Sequence, residues 1–163
     1  MAAFTSVSST LTVGLIGQLG YGNDADLLVR SYTLIDATDV APGRGVVVDT
    51  AGPNSAKLPA GSGTFAGVVF NDGNLPIESA EYSATGVPFL PTLRRGQVWV
   101  PITQNVDATS PVYLQHTLNA GREPGTFRAD ADGGNAQLLA NAQFASSYTA
   151  ASGKALLTVN LPA

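Results

Sequence analysis

The chain has 163 residues, of which 44% are hydrophobic and only 12% charged, and its net charge is −4. This length and apolar content fit one domain with a core, or one domain plus an arm. The eight basic residues are scattered, which argues against nucleic-acid binding, and the lack of cysteine excludes disulfides and thiolate metal sites.

Residues 1–22 are small, polar and rich in glycine, and they lack the apolar content to fold alone. We interpret them as an extended N-terminal arm that becomes ordered on contact, with a flexible terminus as the alternative. Residues 23–163 are expected to form a single β-rich domain. No basic residue precedes Arg30, and the apolar stretch 11–19 is too short to cross a bilayer. We therefore expect neither a secretory signal nor a membrane partner.

The first half of the chain alternates short apolar segments with turns. Residues 25–37 favour a strand because they contain β-branched and aromatic side chains. Residues 46–48 and 65–70 are apolar runs typical of buried strands, and the second run ends in the turn sequence Asn-Asp-Gly-Asn at 71–74. Residues 49–63 are predicted to form a long loop.

Residues 74–92 look like an insertion that could shape a local contact or a knob. Residues 78–86 are ambiguous and could hold a helical turn. Pro88 and Pro91 exclude a helix interior, so residues 87–93 are predicted to be extended.

The clearest strand signal lies at residues 96–102. Val98, Val100 and Ile102 share one face there, whereas Gln97, Trp99 and Pro101 share the other. Residues 112–115 are predicted to be its partner strand.

The last part of the chain continues this pattern. Residues 117–126 are predicted to form a loop and Asp132-Gly133-Gly134 a tight turn. Residues 135–150 fit either a strand pair or one short helix. Residues 155–161 are predicted to form the last strand. Together, these predicted strands and loops indicate a mainly β fold class, a small β-barrel or β-sandwich of short strands with long Gly/Pro-rich loops.

The chain lacks the residue constellations of catalysis. His116 is its only histidine, no Gly-x-Ser-x-Gly elbow occurs, and only three glutamates are present. We expect His116 to lie in a loop or at the rim of the fold. We expect no enzyme, no catalytic residue and no cofactor.

Two charged segments can be interpreted either as functional sites or as ordinary turns. Residues 130–135 resemble part of a calcium loop, but Gly134 and Asn135 stand where an oxygen ligand and glycine are needed, which favours a hairpin turn and no metal site. Arg94-Arg95 is the sole basic pair. It could meet an acidic patch on a partner, or it could be a solvated turn.

Several segments together resemble the cement, or decoration, proteins of tailed-phage capsids. An early Gly-Val-Val-Val strand at 45–48 is followed by Phe-Ala-Gly-Val-Val at 65–69. A central Gly-x-Val-x-Val at 96–100 is followed by Pro-Val-Tyr-Leu at 111–114. Gly-Thr-Phe-Arg-Ala-Asp at 125–130 then precedes the closing strand.

The resemblance implies a structural virion protein, made in the host cytoplasm, that binds the outer capsid surface and cements neighbouring subunits. Its implied partners are the major capsid protein and further copies of itself, as a homotrimer. The arm would clasp an adjacent subunit. The hypothetical interface residues are Phe4, Leu11, Val13, Leu15, Ile16 and Tyr21 in the arm, with Arg94 and Arg95 in the domain.

A tail or baseplate component, or a glycan-binding adhesin, is the alternative. Glycan binding would use exposed aromatic side chains beside polar groups. Trp99 and Tyr113, on the two strands predicted to pair, are the candidates for that role.

Overall fold

The computed structural model describes residues 14–20, 27–52, 54–73, 75 and 81–162. These residues form ten strands and two short 3₁₀ turns, with no α-helix and no helix able to span a membrane among them. The strands are β1 (Leu28–Thr33), β2 (Gly45–Asp49), β3 (Ser55–Lys57), β4 (Phe65–Val69), β5 (Phe89–Pro101), β6 (Tyr113–Gln115), β7 (Phe127–Arg128), β8 (Ala136–Leu138), β9 (Ala142–Phe144) and β10 (Lys154–Asn160).

Five strands close into a barrel. The order is β1, β3, β2, β4 and β5, and β5 returns to pair with β1. The β1–β3 contact is parallel, whereas the other four pairings are antiparallel. The prediction of a mainly β protein with a small barrel is confirmed.

Strand β5 belongs to two parts of the molecule. Its first half, up to Arg95, pairs with β1, and Leu93 and Thr92 also pair with β4. Its second half, from Arg95 to Pro101, pairs with β10, which in turn pairs with β9. The barrel is thereby continued into a seven-stranded sheet.

The predicted partner of residues 96–102 is wrong. That stretch pairs with β10, whereas β6 lies between β7 and β8 in a separate three-stranded sheet. The reason is that β10 offers seven residues in register, while the partner expected from chain order forms a strand of only three residues. The predicted alternation itself is confirmed, because Val98, Val100 and Ile102 are buried.

Two hydrophobic cores follow from this arrangement. The barrel core contains Tyr32, Val46, Val69, Tyr82 and Leu90. The second core lies between the outer side of the barrel and the strands β6 to β10. Its members include Leu93, Val98, Leu114, Phe127, Phe144 and Leu157.

A β-bulge in β4 changes which of its side chains point into each of the two cores. Val46 is opposite Gly67 and Val47 is opposite Phe65, so Ala66 is the extra residue on β4. As a result Ala66 and Val69 face the barrel core, whereas Val68 faces the second core. A bulge is the usual way to change the facing of a strand in this manner.

Other predicted segments differ in detail. The loop predicted at 49–63 contains β3. Residues 135–150 form strands, but β8 and β9 belong to different sheets rather than to one pair. Within 78–86, the described residues 81–86 contain no helical turn.

Candidate interaction surfaces

The segment 14–20, here called the lead-in segment, docks along the second half of β5. Gly17 N donates to Trp99 O at 2.8 Å, Trp99 N to Gln18 O at 2.9 Å, and Gly20 N to Gln97 O at 2.8 Å. Leu19 forms an antiparallel bridge with Val98. The lead-in segment is therefore held by backbone hydrogen bonds to the domain.

Two glycines permit this close approach. Gly17 has φ +79° and Gly43 has φ +85°, both in the left-handed region. A Cβ on Gly17 would overlap Pro42, and a Cβ on Gly43 would overlap the side chain of Ile16. Asn71 N also donates to Gly17 O at 2.9 Å. The contact depends on the absence of both side chains.

The structure describes two of the six hypothetical arm residues. Leu15 is 74% exposed and Ile16 is 41% exposed, although Ile16 also touches the loop at Gly43. The lead-in segment thus leaves two large apolar side chains in contact with solvent. Phe4, Leu11, Val13 and Tyr21 lie outside the described residues.

The aromatic side chains considered for glycan binding do not form a common platform. Trp99 is in edge-to-face contact with Tyr148, with ring centroids 5.7 Å apart, and it packs against Gly14 of the lead-in segment. Tyr113 lies on β6 in the other sheet. Trp99 therefore serves the docking of the lead-in segment.

The basic pair lies within β5 rather than in a turn. Among the arginines that the structure describes, Arg30, Arg44, Arg122 and Arg128 each have an acceptor. By contrast, Nε of Arg94 and Nε of Arg95 are buried without a hydrogen-bond partner, and neither residue forms an ion pair within the described chain. A buried donor without an acceptor costs about 1–3 kcal/mol. An external acceptor cannot reach these buried Nε atoms, but it can bind the Nη groups, which form no ion pair with the described residues.

Arg94 opens into a groove of about 410 Å³, here called the arginine groove. Apolar side chains make up much of its wall, and Arg94 is the one charged group among the described residues that line it. Leu138, on its rim, is 58% exposed. The lining includes Phe65, Arg94, Gln137, Leu138, Leu139 and Leu161.

A second groove, of about 430 Å³, has the opposite charge and is here called the acidic groove. Four acids, Asp36, Asp39, Glu81 and Glu123, line it with a single base, Arg44. Arg44 pairs with Glu123 and donates to Pro124 O. The acids come from three loops, with Asp36 and Asp39 in the loop between β1 and β2, so no local sequence pattern predicts this groove.

Beside the acidic groove, a loop is braced by a buried aspartate. Asp132 accepts hydrogen bonds from Gln115 at 2.8 Å and Asn119 at 2.9 Å, and Arg122 lies 2.8 Å from it. Asn119 and Arg122 also form an antiparallel bridge around the tight turn between them. This loop, 117–126, presents Leu118, which is 65% exposed, on the groove wall.

The hydrogen bonds of Asp132 determine its ionisation. Those from Asn119 and Gln115, followed by the nearby arginines, lower the pKa of Asp132 below its ordinary value of 3.8 despite partial desolvation. Asp132 is therefore a carboxylate at neutral pH, with its oxygens engaged by donors. Within 130–135, the residues Asp132–Gly134 form a 3₁₀ turn, and no cluster of three metal-ligating residues occurs in the described part of the chain.

His116 is buried at the start of the braced loop. Only 8% of the residue is exposed, and Nδ1 lies 2.9 Å from Thr117 Oγ1. Its backbone amide donates to Asn135 O, and its carbonyl accepts from Gly61 N. These contacts of His116 hold the neighbouring loops together.

Comparison with known proteins identifies one family and one solved fold. The family described as "Structural cement protein (E217 gp24/Pam3 gp6)" matches residues 4–160. A chain in the solved capsid of Myoviridae Phage XM1 has the same fold, with a TM-score of 0.72, 19% sequence identity and 98% of each chain covered. No curated protein matches the sequence.

Proposed function

This chain belongs to the family of structural cement proteins of phages, and from that membership we propose that it stabilises the phage head. It binds the outer surface of the capsid and holds neighbouring major capsid protein subunits together. The observation that carries the proposal is the family match, which spans 4–160 and so includes nearly the whole chain.

The surfaces of the domain support a role in contact rather than in chemistry. Leu15, Leu118 and Leu138 are each more than half exposed on otherwise ordered segments, and large exposed apolar side chains favour protein contacts. The low content of charged residues, 12%, keeps the desolvation cost of such contacts small. In this proposal the protein is not an enzyme.

Residues 1–13 act as the clasp, and the lead-in segment is their anchor. Deleting residues 2–13 should reduce capsid binding by at least tenfold, because it removes Phe4, Leu11 and Val13 but keeps the hydrogen bonds of Gly17 and Gly20 to β5. Tenfold corresponds to about 1.4 kcal/mol. Binding is measured by co-sedimentation with capsids that lack the protein.

A deletion of residues 2–22 is less specific. It also removes the partner of Val98 and exposes Trp99, so loss of binding could reflect damage to the domain. L15S is a second probe that keeps the chain length and changes one exposed side chain of the lead-in segment. It should weaken capsid binding less than the deletion does. Full capsid binding by the 2–13 deletion, with an unchanged melting temperature, would show that the clasp does not exist.

The copy number in virions tests the cement role itself. Many identical contacts across the capsid lattice add up through multivalency, so we expect amounts comparable to those of the major capsid protein. Quantitative mass spectrometry of gradient-purified particles measures that ratio. A few copies per particle would instead indicate a tail or baseplate component.

We also propose that the protein is produced in the host cytoplasm and acts as a homotrimer. A symmetric oligomer presents the same contact surface several times to the lattice. Light scattering of the purified chain, and its position on capsids by electron microscopy, test the homotrimer. Detection of the newly made chain in the soluble fraction of infected cells tests its production in the host cytoplasm.

A further inference from the structure

Two grooves of the domain hold charges of opposite sign that form no ion pair among the described residues. Among the described residues, Asp36, Asp39 and Glu81 form no ion pair, and all three line the acidic groove. Arg94 forms none either, and it lines the arginine groove. Most other described charges are matched within the chain, as in the pairs Lys57–Asp49 and Arg122–Asp132.

We propose that the arginine groove of one copy binds the acidic groove of a second copy, with Arg94 opposite Asp39 and Glu81. Guanidinium groups pair well with carboxylates because their planar donors match two carboxylate oxygens. Arg94 forms no ion pair with the described residues, and neither do the carboxylates of Asp39 and Glu81. The guanidinium in one groove can therefore pair with the carboxylates in the other.

The apolar parts of the two grooves fit the same contact. Leu138 stands on the rim of the arginine groove and Leu118 on the wall of the acidic groove. They are 58% and 65% exposed. An interface with an apolar centre and a few charge pairs is typical of protein association. The second copy is the preferred occupant because both complementary surfaces lie on this chain. The net charge of −4 opposes self-association in general, so copies of the chain would associate only where opposite charges meet.

Charge reversal tests the contact directly. In sedimentation velocity at low salt, wild-type protein should associate, and R94E should raise the dissociation constant by about 30-fold or more, as expected for breaking one partner of a desolvated pair. E81R, on the opposite groove, should weaken association in the same way. Combining R94E with E81R should recover much of the wild-type association, because the pair is then restored with its charges exchanged.

The chain offers a matched control on the neighbouring strand β10. K154E makes the same change in charge, but Lys154 lines neither groove and forms no ion pair among the described residues. K154E should associate as the wild type does. If R94E fails to fold, as judged by circular dichroism, E81R alone still tests the contact because it lies on an exposed residue.

Three results would overturn the inference. They are a wild type that stays monomeric at the highest soluble concentration, a K154E variant as impaired as R94E, and a combined variant that associates no better than either single one. The contact deepens the self-association proposed above, and it rests on that proposal only for its role on the virion. Because sedimentation needs no capsids, a failure here is distinguishable from a failure of capsid binding.

Discussion

Gly67 shows how one residue decides the geometry of the barrel. It has φ +140° at the bulge of β4, and a Cβ there would collide with the carbonyl oxygen of Leu93 on β5. We expect G67A to destabilise the fold by about 2–5 kcal/mol, from backbone strain together with overpacking. Urea unfolding followed by circular dichroism measures this free energy.

Gly61 provides the control for backbone strain alone. Its φ of +133° is close to that of Gly67, but a Cβ at Gly61 would have nothing within 4 Å. G61A should therefore be less destabilising than G67A by about 1–3 kcal/mol, the usual cost of overpacking. Equal losses in the two variants would mean that the contact with Leu93 has no energetic role.

At the scale of elements, Asp132 joins the braced loop 117–126 to β6 and β7. Its pKa is lowered, so its contribution to stability is complete above the ordinary value of 3.8 and is lost as the pH falls through the lowered value in the folded protein. D132N should lower the urea midpoint at pH 7. Below pH 3.8 the midpoints of variant and wild type should converge.

The pH series distinguishes this role from simple packing. Asn is nearly isosteric with Asp, so a purely steric role predicts the same small difference between D132N and wild type at every pH. D107N is the control, because the pKa of Asp107 is also lowered, by hydrogen bonds from Thr109, but Asp107 is exposed and forms no ion pair in the described structure. D107N should change the midpoint less at pH 7.

The elements predicted well were those with a strong local pattern. Residues 46–48 and 65–70 are apolar and β-branched, and both correspond to barrel strands. β3 was missed because Ser55-Ala56-Lys57 has no strand preference of its own, and it extends only because β2 and β1 lie on either side. Context of this kind overrides propensity in sheets.

At the scale of the whole molecule, chain order was a poor guide to pairing. Arg94-Arg95-Gly96 resembles a turn between two strands, yet the structure runs one strand of 13 residues through it. Gly96 has φ +128°, which permits a shift in the alternation of the strand, so that Leu93 and Val98, five residues apart, both belong to the second core. The family could be predicted because the resemblance to it rests on patterns in several segments of the chain. The grooves were not, because their residues meet only in the folded chain.

The sharing of β5 by both cores has a thermodynamic consequence for the whole domain. Leu90 is fully buried in the barrel core, whereas the single tryptophan, Trp99, lies further along the same strand beside the second core. L90A should cost about 2–5 kcal/mol, as large-to-small substitutions in cores do. It should also lower the midpoint seen by Trp99 fluorescence as much as that seen by circular dichroism.

A fluorescence midpoint that stays at the wild-type value while the circular dichroism signal shifts would mean that barrel and second core unfold separately. In that case β5 would be a hinge between two units, and the clasp anchored on its second half could move relative to the barrel.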